Sequence, residues 1–281
     1  MRVLPRPGSR WPPCYLVLFS FGRAWLPSLT KVIPRAEQSM IRLATAALGK
    51  DDASRVLLDR LESLAALPDV ARVVLIFRHG EKETARCDAA DLPDEAFWRA
   101  AREAALTATG EQQAADFGER LRRAKGLRCV ELLSSEVPRC MATAEAVARG
   151  AACGLTIRPV AAWMNATHRP GEEKAAADEM KAVGWQDILQ RLSCGKQVDG
   201  YLPLHQAVER LRGTCGFSSA KKNGQPLDLV LVCTHDVLLY ALASFFQSNP
   251  KAPDFLEAAL WWQDGREHFF YDGQEVTSAL P

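Results

Sequence analysis

The sequence predicts an α/β domain with a mainly parallel central sheet and helices on both faces, and three observations predict it. Ala71–Phe77 and Leu227–Cys233 are short, β-branched apolar runs of the kind found in strands buried on both faces. Segments with apolar residues at helical spacing lie between the strand-like runs, and that alternation is how parallel strands are connected. Each of these two runs also stops abruptly in polar residues, Arg78-His79-Gly80 after the first and Thr234-His235-Asp236 after the second.

The chain has 281 residues, 48% of them hydrophobic, which suits one folded domain with an extension. Residues 1–39 read as the extension and 40–281 as the domain. Lys and Arg number 35 against 34 Asp and Glu, so no polyanion-binding surface and no nucleic-acid partner is expected. Any anion chemistry has to come from a local cluster. The eight cysteines contain no Cys-x-x-Cys pair, so no zinc site is expected. They fit a reduced intracellular protein, with a secreted, disulfide-bonded one as the alternative.

Arg2, Arg6, Arg10, Arg23, Lys31 and Arg35 precede the first acidic residue, Glu37, a bias found in transit peptides to mitochondria or another organelle. Prolines at 5, 7, 12, 13, 27 and 34 oppose one long amphipathic helix there. The apolar run Cys14–Phe21 suits a signal-peptide core, but crossing a bilayer takes about 20 residues, so no membrane span is expected. A disordered tail, or an extension upstream of a start at Met40, is the other reading.

Taken in order, Met40 to Leu67 is expected to be helical from Leu43, Ala46, Ala47, Leu57, Leu58 and Leu61, with Pro68 closing it. The strand 71–77 follows. A helix from Gly110 to Ala124 puts Ala114, Phe117, Gly118 and Leu121 on one stripe. Cys129–Leu133 is a strand, and Pro138 opens a helix with Cys140 or Met141, Ala144 and Val147 inward. Ile157–Val160 is a further strand. Asn165 to Gly200 is polar and glycine-punctuated and reads as an insertion. After the strand 227–233, Leu238, Ala241, Leu242 and Phe245 mark a helix, and Trp261 to Tyr271 reads as a hairpin turning at Asp264-Gly265.

Ligands of open α/β sheets sit beyond the carboxyl ends of the strands. Three strand ends here carry polar residues: Arg78-His79-Gly80, Ser134-Ser135-Glu136-Val137-Pro138-Arg139 and Thr234-His235-Asp236. Two arginines meeting at one sheet edge need an anion between them, and a guanidinium matches phosphate oxygens with a planar fork of donors. An imidazole near neutral pH keeps a lone pair with which to attack phosphorus. Singly, each piece has a plain reading: a turn for Arg-His-Gly, a surface helix residue for Arg139, a core histidine for His235.

Phe77-Arg78-His79-Gly80-Glu81, Leu106–Ala114, Ser134–Ala144 and Thr234-His235-Asp236, in that order, resemble the histidine phosphatase superfamily, which includes phosphoglycerate mutases and histidine acid phosphatases. The likeness spans roughly Arg72 to Phe246. It implies a phosphoglycerate mutase-like fold and a catalytic domain in which His79 is the nucleophile that becomes phosphorylated. Arg78 and Arg139 would then bind phosphate oxygens, His235 would donate a further hydrogen bond, and neither metal nor cofactor would be required. Thr109 is the expected cap of the helix that follows Leu106-Thr107, with Thr107 and Gly110 shaping the site wall.

The proton donor differs between branches of that family. The acid phosphatase branch uses the aspartate after the second histidine, here Asp236. The mutase branch uses a glutamate between the second arginine and the second histidine, where Glu172, Glu173 and Glu179 are available. Glu81-Lys82-Glu83-Thr84 follows where the acid phosphatase branch tends to show arginine and proline. A mutase-like core with Asp236 as first donor, and Glu172 or Glu173 as second, is the expectation, although Asp236 could merely cap its helix. The resemblance implies hydrolysis of a phosphomonoester through phosphohistidine, on a phosphorylated small molecule or a phosphoprotein. Mutase-type phosphoryl transfer and a non-catalytic phosphate-binding module are the alternatives, and specificity would sit in Glu83–Ala105 and Asn165–Gly200.

Overall fold

The computed structural model describes residues 50–83, 102–160, 167–217, 225–248 and 250–278. The expected extension 1–39, the start of the first helix at 40–49, most of the insertion 83–105 and the beginning of the one at 165 lie outside these residues.

The chain runs α1 (Lys50–Ala65), β1 (Arg72–Arg78), α2 (Ala108–Arg123), β2 (Leu127–Ser135), α3 (Pro138–Ala151), β3 (Ile157–Val160), α4 (Glu173–Val183), α5 (Trp185–Ser193), α6 (Leu204–Cys215), β4 (Leu227–Thr234), α7 (Asp236–Phe246), β5 (Ala258–Gln263), β6 (Glu267–Tyr271) and β7 (Gln274–Ser278). The strands form one sheet in the order β3-β2-β4-β1-β5-β6-β7. Its core, β3-β2-β4-β1, is parallel, and β5, β6 and β7 add an antiparallel flank. The expected parallel sheet is therefore present with a meander on one side.

Alternation along the strands divides the core into two layers, because successive side chains of a strand point to opposite faces. Val73, Leu75 and Phe77 of β1 join Leu229, Leu231 and Cys233 of β4 under Leu57, Leu61 and Leu64 of α1, Phe117 and Leu121 of α2 and Ala144 and Val147 of α3. Val74 and Ile76, with Val230 and Val232, meet α6 and α7 through Val208, Leu211, Leu238 and Leu242 on the other face. Helices cover both faces, as expected. Leu238, Ala241 and Leu242 are buried, but Phe245 lies 39% exposed, and the inward stripe of α7 continues instead through Phe246, which stacks on Phe269.

α2 and α3 pack at bare backbone. A Cβ on Gly118 would strike the Val147 carbonyl, and one on Gly150 would strike that of Ala115. This close approach fixes α3, which carries Arg139 in its first turn, against α2. Thr107, not Thr109, caps α2: its extended backbone precedes the helix, and its Oγ1 accepts the Gly110 N–H at 2.9 Å. Thr109 lies two residues further on, already inside the helix, and is exposed.

The insertion 165–200 resolves into α4 and α5, which pack with Tyr201 and Leu204 as a small separate core. Their many polar residues occupy outer faces, which is why no inward stripe stood out. α6 and β7 are elements the sequence pattern did not lead us to expect. α6 is tied to the hairpin by Arg212, which pairs with the 2%-exposed Glu267 at 2.7 Å. The Asp264-Gly265 turn is where the sequence put it, with Gly265 at φ +98°.

Candidate functional site

β1 and β4 are neighbours with Arg78 opposite Thr234, and β2 flanks β4 with Ser134 opposite Cys233. The three polar strand ends therefore emerge side by side. The His79 N–H extends the pairing by one bond to the Thr234 carbonyl at 2.9 Å, and the two imidazoles, one residue past each strand, meet edge to face at 5.6 Å. His79, His235 and Arg139 come together as expected, all three nearly buried.

His79 Nδ1 lies 2.8 Å from the carbonyl of Gly80, a contact that requires the proton on Nδ1 and leaves the Nε2 lone pair available. Arg139 Nε donates to that Nε2 at 3.1 Å. Gly80 carries no side chain for a reason: a Cβ there would lie 2.7 Å from the Gly110 carbonyl. Thr143, one turn past Arg139, accepts the Gly80 N–H at 3.0 Å and donates to the Arg139 carbonyl at 2.7 Å. One hydroxyl thus joins the histidine loop to the arginine helix.

His235 is held on both ring nitrogens. Arg139 reaches Nδ1 at 3.4 Å, and Ser135 Oγ lies 2.9 Å from Nε2. With Arg139 as obligatory donor to Nδ1, Nε2 carries the proton toward Ser135. Cys140 Sγ sits 3.7 and 3.6 Å from the two nitrogens.

Arg78 takes a different posture. It donates to the Pro253 carbonyl at 2.8 Å, pairs with Asp236 at 3.1 Å, and lies over the ring of Phe255 at 4.4 Å. Its Nε and the hydroxyl of Thr234 are buried without a partner among the described residues. Asp236 is the first residue of α7 and also accepts the Val237 N–H at 2.9 Å, so it serves the helix start and faces Arg78 at once. Glu172 pairs instead with Arg169 at 3.4 Å and Glu179 with Arg191 at 3.0 Å, while Glu173 opens α4.

The family model described as histidine phosphatase superfamily, branch 1, matches residues 74–256. The chain belongs to the histidine phosphatase superfamily. The matched range holds the three strand ends that carry His79, Arg139 and His235. Solved structures similar to it include a phosphoglycerate mutase from Bacillus anthracis str. Sterne, at 15% identity and TM-score 0.43, covering 75% of this chain and 94% of that one. A mycobacterial glucosyl-3-phosphoglycerate phosphatase is 16% identical at TM-score 0.45, with 74% and 99% covered. A mycobacterial protein titled hydrolase 2 is 14% identical at TM-score 0.47, with 75% and 93% covered. No curated protein matches the chain.

The electrostatics of this superfamily member follow from the geometry. Burial draws His79 from 6.5 down to about 2; the Gly80 carbonyl opposes this, and the charges of Arg139, His235 and Arg78 add to it. His79 is therefore neutral at any ordinary pH. Burial also lowers Arg139. Lys82, which the sequence reading did not single out, is half-buried close enough to feel the site: burial lowers its ammonium first, Arg139 and Arg78 add to that, and Asp236 opposes. The available signal was a third cation two residues past Gly80. Ser135, Thr143, Cys140 and Phe255 were likewise passed over, because each looks like ordinary core or turn until the strand ends are brought together. Among the described residues no group of three or more His, Cys, Asp or Glu is placed to hold a metal ion, and no helix is long and apolar enough to cross a membrane.

Proposed function

We propose that the chain hydrolyses phosphomonoesters through a phosphohistidine formed on His79. The observation that carries this reading is the pairing of His79 Nδ1 with the Gly80 carbonyl, which leaves an unprotonated Nε2 facing the Arg139 guanidinium. A phosphoryl group entering there would take over the Arg139 donor now on Nε2, together with the donors of Arg78 and His235. Arg78 would leave Asp236 and the His235 N–H would turn from Ser135, so that charge developing on the equatorial oxygens meets guanidinium and imidazole N–H groups while Nε2 attacks in line with the leaving oxygen.

Asp236 is the proposed proton donor to the leaving group. Its place beside Arg78 supports this over Glu172 and Glu179, whose partners are Arg169 and Arg191. Arg78 released to phosphate would free the carboxyl for that work. Water then attacks the phosphohistidine, with the same carboxylate as base. The substrate class is a phosphorylated small molecule or phosphoprotein. Release of inorganic phosphate from a panel of both, by the parent and by His79→Ala, tests the reading: turnover in the parent alone supports it, and equal release by both contradicts it.

A further inference from the structure

A cavity of about 300 Å³ that the proposed chemistry does not use lies between α1, α2 and the turns before β5 and after β6. It is at the same end of the sheet as His79, because Ala258 in its wall pairs with Phe77, two residues before that histidine. None of its wall comes from the two insertions where specificity was expected. Leu57, Phe117, Leu256 and Phe270 give it an apolar lining, and the exposed Asp116 and Asp272 set its mouth at the surface. Phe255 belongs to this wall and to the site at once. Its ring centroid is 5.9 Å from that of His79, and the Arg78 guanidinium lies over it at 4.4 Å.

We propose that this cavity, with the ring of Phe255 at its edge, binds the leaving group of the substrate, and that the substrate is the phosphomonoester of an aryl or short alkyl group with no second anion. The inference rests on the phosphatase reading above. In-line attack by Nε2 sends the leaving oxygen away from His79 and toward Asp236, and Asp236 is paired with the same Arg78 that covers Phe255. When Arg78 turns to the phosphate it uncovers that ring face. An apolar group on the leaving oxygen then takes the place of the guanidinium on Phe255 and continues into the cavity, exchanging water for Leu57, Leu256 and Phe270. The volume is at the small end of the roughly 300–1,000 Å³ typical of small-molecule sites, which suits one or two rings rather than a peptide. Charge sets the second half of the specificity. Among the described residues, Asp116, Asp254, Glu257 and Asp272 stand in the wall with Arg120 as its cation, and Lys251, outside it, pairs with Glu257 at 2.6 Å. A second phosphate or a carboxylate on the leaving group would meet this acidic surplus and be repelled.

The test uses the full chain and compares primary alkyl phosphates, whose leaving oxygens are chemically alike: 2-phenylethyl phosphate, glycerol 3-phosphate and 3-phosphoglycerate. The kcat/KM for the phenylethyl ester should exceed that for glycerol 3-phosphate by about tenfold or more, as burial of most of a phenyl ring provides, and 3-phosphoglycerate should be the slowest. Gln113→Trp, which fills the cavity from α2, and Phe255→Ala should each cut the phenylethyl-to-glycerol ratio about tenfold. In parallel, the parent with labelled methyl groups is titrated with 3-phenylpropylphosphonate, in which carbon replaces the leaving oxygen. The Leu57 and Leu256 methyl resonances should shift in the parent and stay still in Gln113→Trp. A ratio near one in the parent, a ratio that neither variant changes, or parent methyl resonances that do not move at saturating phosphonate would overturn the proposal. Release of phosphate from none of the esters would count against the phosphatase reading instead, and the methyl shifts would still decide whether the cavity takes the apolar group.

Discussion

Arg139 and His79 are bonded side chain to side chain, guanidinium Nε donating to imidazole Nε2 at 3.1 Å. The same guanidinium reaches His235 Nδ1 at 3.4 Å, so one planar group spans both histidines. An ammonium cannot present two donors in that fixed plane. Arg139→Lys should therefore lower turnover about a hundredfold, comparable to losing one preorganised donor. Orthovanadate inhibition should weaken in parallel; equal inhibition of parent and variant would place Arg139 outside the pocket.

Much of this arrangement could be read from the residues in order, because a strand buried on both faces admits few side-chain types and its polar end then stands out. Phe77-Arg78-His79 and Cys233-Thr234-His235 were legible for that reason. Lys82, Thr143 and Ser135 were not, since their roles depend on which strands are neighbours. α4 and α5 stayed hidden because their small apolar stripe faces Tyr201 and Leu204 rather than the main core. The cap of α2 is Thr107 rather than the expected Thr109, because a capping oxygen has to precede the first turn and the helix starts two residues earlier than its apolar stripe indicated.

The role of Asp236 separates by leaving group. Its carboxylate is beside Arg78, where a departing oxygen would collect a proton. Asp236→Asn should depress turnover of alkyl phosphates by about 10² to 10⁴, and that of an activated aryl phosphate far less. Steady-state rates on both substrate types check this. An equal loss on the two would point to another donor, with Glu172→Gln and Glu173→Gln the next variants to measure.

Stability should report the buried neutral imidazole. His79 has a folded value of about 2 against 6.5 in the unfolded chain, so between those values the unfolded chain holds the extra proton. Folding stability attributable to His79 is thus intact above about 6.5 and falls as pH drops through that window. Between pH 7 and pH 5 the parent should lose on the order of 2 kcal/mol more than His79→Gln, which has no such proton to exclude. Denaturant unfolding of both proteins at the two pH values measures the difference. Parallel losses would mean that His79 takes up a proton in the folded state.

The most direct measurement is chemical trapping of the phosphoenzyme. Labelled substrate mixed rapidly with the parent and quenched in base should leave label on the protein that is base-stable and acid-labile, on the peptide containing His79. His79→Ala should carry none. Label on another residue, or label retained by His79→Ala, would contradict the account.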